Sequence, residues 1–125
     1  MKKLLLLPLL FIAVISFGQV PNYVPTDSLV GYWGFNGNAN DESGNGNDGT
    51  VNGATLTTDR FGNGNAAYSY DGITNEIVIA HNSTFDFIDF SISAWALIDN
   101  QPIYNPGVIS KCETNNNGWY LAINS

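Results

Sequence analysis

Between residues 90 and 98 the chain reads Phe-Ser-Ile-Ser-Ala-Trp-Ala-Leu-Ile, and this two-residue rhythm constrains its fold more than any other feature. In an extended chain successive side chains point to opposite faces. Phe90, Ile92, Ala94, Ala96 and Ile98 then share one face, with Ser91, Ser93, Trp95 and Leu97 on the other. Alternation of this kind marks a β-strand between two environments. No segment carries a sustained 3.6-residue apolar period, so helix is expected to be nearly absent. Shorter β-type runs fall at residues 29–35, 49–56, 66–71, 76–80, 107–111 and 119–124, separated by stretches of Gly, Asn and Asp. Short strands punctuated by turn chemistry predict an all-β fold, an antiparallel β-sandwich or barrel.

The longest of these punctuations is Asn-Gly-Asn-Ala-Asn-Asp-Glu-Ser-Gly-Asn-Gly-Asn-Asp-Gly at residues 36–49. Asn and Asp tolerate left-handed backbone and bond to their own turns, and Gly does so without steric cost. Flanked by an aromatic-rich run and a β-branched one, the stretch predicts an ordered, coiled loop on a sheet.

The N-terminus places Lys2 and Lys3 before an apolar run from Leu4 to Ile15, followed by Ser16-Phe17-Gly18. A positive start, a short apolar stretch and small residues before the cut describe a secretory signal peptide. A membrane-spanning helix needs about 20 apolar residues; this run is shorter and contains Pro8. The expected organisation is a signal peptide over 1–18, an extended lead-in over 19–28 and one domain over 29–125, secreted or at the cell surface. No membrane insertion is expected after cleavage.

Losing Lys2 and Lys3 moves the net charge from −7 to −9 and leaves Arg60 and Lys111 against eleven carboxylates. Nucleic acid needs a basic surface and is excluded as a partner; anionic membrane surfaces are disfavoured likewise. Glycans and extracellular proteins remain. The single cysteine, Cys112, cannot form an internal disulfide, so the domain must hold by packing or by a bound ion.

Several local strings together resemble one family. Phe35-Asn36 closes a first strand, Asp41 to Gly49 forms a D-x-S-G-N-x-N-x-G loop, and Arg60-Phe61-Gly62 precedes an aromatic strand end at Tyr68 to Gly72. Phe90 to Ile98, Ile109-Ser110-Lys111 and Gly118 to Leu121 continue the series. The set resembles bacterial laminin-G-like (concanavalin A-like lectin/glucanase) domains. That resemblance implies a jelly-roll sandwich of two antiparallel sheets. It also implies strands beyond the G-W-x-L one, so the chain is expected to represent the N-terminal portion of a longer surface protein.

Candidate sites follow from these strings. Asp41-x-Ser43-x-Asn45-Gly46 has the opening spacing of an EF-hand loop, but position 12 falls on Asn52 rather than a bidentate Glu. Gly44-x-Gly46-x-Asp48 is close to one calcium β-roll repeat, yet Gly62-Asn63-Gly64-Asn65 does not repeat it. The resemblance implies instead a structural calcium on Asp41 or Asp48 joined by Asp71. The plain alternative is that these residues form turns. At millimolar calcium an extracellular-type site would contribute about 0.4–1.4 kcal/mol.

Among the aromatics, Trp33, Trp95 and Trp119 lie on expected strands and Tyr104 in a proline-flanked loop. Trp95 and Tyr104 are the candidates for ligand contact, since aromatic faces stack on sugars, although strand tryptophans usually serve the core.

No catalytic set is expected. Glucanases of this fold pair two carboxylates about 5–5.5 Å apart on one strand. The nearest pair, Asp86 and Asp89, has a spacing of three that would put them on opposite faces of a strand. His81 is the only histidine, and Asn82-Ser83-Thr84 matches a glycosylation acceptor pattern. The expectation is therefore an exported, non-catalytic module that binds carbohydrate or protein. The alternatives are an adhesive spacer with no small ligand, or part of a glycoside hydrolase.

Overall fold

A computed structural model describes residues 19–98, 107–111 and 119–122. The expected signal peptide over 1–18, Cys112 and Tyr104 lie outside the described residues. Within them, no helix is long and apolar enough to cross a membrane.

The architecture is strand and coil. Strands β1 (Gly49–Asn52), β2 (Thr55–Thr57), β3 (Ala67–Ser69), β4 (Glu76–Ile79), β5 (Gly107–Lys111) and β6 (Trp119–Ala122) form three antiparallel ribbons. β1 pairs with β4 from Gly49↔Ile79 to Asn52↔Glu76. β2 pairs with β3 from Thr55↔Ser69 to Thr57↔Ala67. β5 pairs with β6, with a register irregularity between Gly107 and Ile109. Among the described residues the only helical element is a single 3₁₀ turn, Ser83–Phe85, whose Thr84 amide donates to the Asn82 side chain. The expected scarcity of helix and the antiparallel pairing are both present. A two-layer sandwich is not among the described elements, where each ribbon has two strands.

Three strand expectations resolve differently, each for a physical reason. The run 49–56 divides at Gly53, whose φ of +77° turns the chain so that β1 and β2 take different partners.

Residues 29–35 form no strand. Their backbone groups are instead satisfied by the Asn-rich loop: Tyr32 N–H donates to Asp41 Oδ1 at 3.0 Å, and Glu42 N–H donates to Tyr32 C=O at 2.8 Å. The Trp33 indole folds back over Gly31, where an added Cβ would sit 2.2 Å from the ring. Only glycine admits that approach. Phe35 then takes φ +56°, costly for a bulky residue. The edge-to-face contact of its ring with Tyr68 (5.3 Å) and the bond from Gly37 N–H to Asn65 C=O (2.8 Å) hold it there.

Residues 91–98, the most regular run in the sequence, also take no strand pairing. Trp95 is 80% exposed and Leu97 94%. Alternation gives a segment two unlike faces. A ladder needs in addition a partner backbone in register, and none of the described strands pairs with this segment.

Burial is concentrated where the Asn-rich loop meets β1 and β4. Ala39 and Asn47 are the buried residues among those described. Gly49 N–H donates to Ala39 C=O at 2.8 Å, and a Cβ at Gly49 would come within 2.7 Å of Ile77 Cγ2. The glycine thus lets β1 close onto both Ala39 and the half-buried Ile77 of β4.

Candidate functional site

The loop at residues 41–48 is organised around one carboxylate and one carboxamide. Asp41 Oδ1 accepts from Tyr32 N–H (3.0 Å) and Ser43 N–H (2.9 Å), and Oδ2 accepts from Asn47 N–H (3.0 Å). Asp41 N–H in turn donates to Asp48 Oδ1 at 2.8 Å. Partial burial alone would push the Asp41 carboxyl up, but the Ser43 hydroxyl and the three main-chain donors outweigh it and hold it below its ordinary value.

Asn47 uses every polar group. Its Nδ2 donates to Val30 C=O (2.8 Å), its Oδ1 accepts from Asn82 Nδ2, and its carbonyl accepts from Trp33 Nε1 (2.8 Å). Three segments, residues 30–33, the 41–48 loop and Asn82, meet on this one residue. Glu42, next to Asp41, has a shielded oxygen, Oε2, with no hydrogen-bond partner. Desolvation pushes its carboxyl up, Asn36 opposes with a hydrogen bond, and the neighbouring Asp41 charge adds to the rise.

Asp71 organises a turn of its own. Its Oδ1 accepts from the N–H groups of Ile73, Thr74 and Asn75, all at 2.9 Å, and Oδ2 accepts from Thr74 Oγ1 at 3.0 Å. Those donors hold the carboxyl well below the usual carboxylate range.

The three aspartates do not form one cluster among the described residues: Asp71 braces a separate turn. Calcium wants carboxylate and carbonyl oxygens converging on it. Here N–H groups converge on Asp41 and on Asp71, an arrangement suited to holding an anion. The carboxylates themselves fill that place. Asp41 and Asp48 are brought together, but no group of three or more His, Cys, Asp or Glu able to hold a metal occurs among the described residues.

A second constellation lies on the β2–β3 hairpin. Asp59 Oδ1 accepts from Phe61 N–H and Asn63 N–H, both at 2.8 Å, and Oδ2 accepts from Asn63 Nδ2 at 2.9 Å. Gly62 N–H closes the turn onto Asp59 C=O at 3.1 Å, with Gly62 at φ +90°. The bonds from Asn63, then from the turn amides, hold the Asp59 carboxyl below its ordinary value.

This braced turn presents Arg60 and Phe61. The Arg60 guanidinium lies over the Phe61 ring at 4.3 Å and over the Trp95 ring at 3.8 Å. Trp95 and Phe61 are 80% and 73% exposed, so both are surface rings. The guanidinium joins the two rings by cation–π attraction, worth about 0.5–1 kcal/mol at an exposed site.

Other candidates are placed as follows. Trp33 is half-buried and serves the Asn47 hub. His81 Nε2 lies 3.8 Å from Asp86 Oδ1, a neighbour that sequence spacing did not indicate. Lys111 Nζ lies 3.4 Å from the same Asp86 oxygen and donates to Phe85 C=O at 3.0 Å, tying β5 to the 3₁₀ turn. Residues 86–89 are coil, so the facing argument made for Asp86 and Asp89 on a strand does not apply.

Sequence reasoning missed Arg60 and Phe61 as site residues and Asn47 as the hub. The Asp-Arg-Phe-Gly-Asn string does signal a braced turn, because Asp at the first position and Gly at the fourth are turn chemistry. Nothing in it announced the contact with Trp95, 35 positions away. Compared with known proteins, the chain matches no family model, no curated protein and no solved structure.

Proposed function

We propose that this chain is an exported, non-catalytic binding module that takes glycan on the Trp95–Arg60–Phe61 surface. The observation that carries this reading is the 80% exposure of Trp95 with its ring pinned by a guanidinium at 3.8 Å. A tryptophan that serves a core is shielded, whereas a pinned, solvent-facing ring offers a flat apolar face at little entropic cost. Sugar rings have apolar C–H faces of matching size. The braced Asp59 turn supports the same reading, since it supplies a rigid base for the platform.

The laminin-G-like jelly roll belongs to this proposal as its scaffold. Three antiparallel ribbons, the two-sided pattern of residues 90–98 and the loop motifs support it. Exposed Val51, Leu56, Val78 and Ile92 have the surface that a second layer would cover. Calcium is left out of the proposal, because Asp41, Asp48 and Asp71 are not gathered into one group among the described residues.

A glycan array probed with the processed protein and with Trp95→Ala is the test. Binding to a defined sugar set that Trp95→Ala loses supports the module. Absence of any sugar binding favours the adhesive-spacer role, for which the exposed backbone and apolar side chains of residues 91–97 are the relevant surface.

A further inference from the structure

If Trp95 stacks on a sugar, as proposed above, the group beside it decides which sugar. The sequence has four basic residues, Lys2, Lys3, Arg60 and Lys111. Lys111 is committed to Phe85 C=O and Asp86. Arg60 has no ion pair and no hydrogen bond among the described residues, although the chain holds eleven carboxylates. Its partners are the faces of Phe61 and Trp95.

That geometry has a chemical consequence. A guanidinium carries five N–H donors in its own plane, and stacking uses the faces of that plane while leaving the edges free. A planar edge with parallel donors matches a carboxylate, which accepts two such bonds at once. Pinning by the rings removes rotamer freedom that an exposed arginine would otherwise lose on binding.

We propose that Arg60 is the specificity-determining residue of this surface and receives the carboxylate of a uronic-acid unit, while the adjacent sugar stacks on Trp95. The overall charge narrows the ligand further. A mature charge of −9, from −7 less Lys2 and Lys3, repels a continuous polyanion. At physiological salt the screening length is about 8 Å, so a single carboxylate held against Arg60 feels mainly the local guanidinium. The fitting ligand is thus a sparsely charged glycan, with isolated uronic acids among neutral sugars.

The test is calorimetric titration of the signal-cleaved chain with two oligosaccharides of one linkage. They differ at a single C6, carboxylate in one and hydroxymethyl in the other. The acid form is expected to bind about 10-fold tighter or more, the scale of a charged hydrogen bond. Arg60→Ala should abolish the difference between the two sugars, while weakening both because Trp95 loses the guanidinium beside its ring. Arg60→Lys keeps the charge but loses the paired edge, and should lose most of the preference. Arg60 is exposed on a turn braced by Asp59, so unchanged melting temperatures verify that the variants are folded.

Equal binding of the two sugars, or a preference that survives in Arg60→Ala, overturns the assignment of Arg60. If the neutral sugar alone binds through Trp95, the module reading stands and only this assignment falls. If neither sugar binds and Trp95→Ala changes nothing on the array, both fall together.

Discussion

Replacing Asn47 by alanine should unsettle the protein more than any other change in the Asn-rich loop. The substitution removes two side-chain hydrogen bonds, Nδ2 to Val30 C=O at 2.8 Å and Oδ1 from Asn82 Nδ2. It leaves the main-chain bonds to Asp41 and Trp33 in place. Val30 C=O keeps a weaker donor in Asn45 Nδ2 at 3.1 Å, and exposed Asn82 turns to water. Each lost bond is therefore worth its net value of about 1 kcal/mol, and the pair about 2 kcal/mol. For a domain of this size that lowers the melting temperature by roughly 8–16 °C.

Asn45→Ala is the internal control. Asn45 Nδ2 donates to Leu29 C=O at 2.7 Å and to Ser43 Oγ at 3.0 Å, yet the residue is exposed and water replaces it. Its cost should stay below about 0.5 kcal/mol. Asn47→Asp should exceed Asn47→Ala, because it points an oxygen at Val30 C=O and a second charge at Asp41. Urea unfolding followed by tryptophan emission reads all three. An Asn47→Ala variant no less stable than Asn45→Ala would refute the hub.

Further outcomes follow from the same contacts. Gly31→Ala should destabilise by about 1–3 kcal/mol, because its Cβ would meet the Trp33 ring at 2.2 Å and break the indole bond to Asn47; urea unfolding measures it. Glu42 has a raised pKa, so its folded form favours the proton and its ionisation costs stability at neutral pH. Glu42→Gln should therefore raise the melting temperature at pH 7, with the gain vanishing as the pH falls through the raised value to below 4.5. Asp41 has the opposite sign: its contribution is present above 3.8 and lost as the pH drops through the depressed folded value, a loss that Asp41→Asn should not show in acid melts. Addition of millimolar calcium, or its removal by chelator, should leave the melting temperature of the processed protein unchanged.

Much of the fold was legible in the sequence because its signals are local. Gly, Asn and Asp clusters marked the turns at 41–48, 59–63 and 71–75, and β-branched pairs marked β1 and β4. The strand that residues 29–35 suggested was lost to tertiary competition: Asp41 and Glu42 take the backbone of Tyr32, and Phe35 is driven to a positive φ. Residues 90–98 show the limit of periodicity, which encodes two faces but not the presence of a neighbour. The sequence singled out Trp95 as a candidate, and the structure shows it exposed; Arg60 was legible only as part of a turn. Its stacking depends on where the hairpin meets a distant segment, and no local spacing encodes that. The aspartates were legible as turn formers; their N–H partners became visible only in three dimensions.

Whether Trp95 grips a sugar is the question on which the functional account rests. Tryptophan emission of the signal-cleaved protein, titrated with an oligosaccharide chosen from the array, addresses it directly. The account predicts a saturable shift in emission that disappears in Trp95→Ala while the residual Trp33 and Trp119 signals stay flat. A shift of equal size and midpoint in that variant would contradict it.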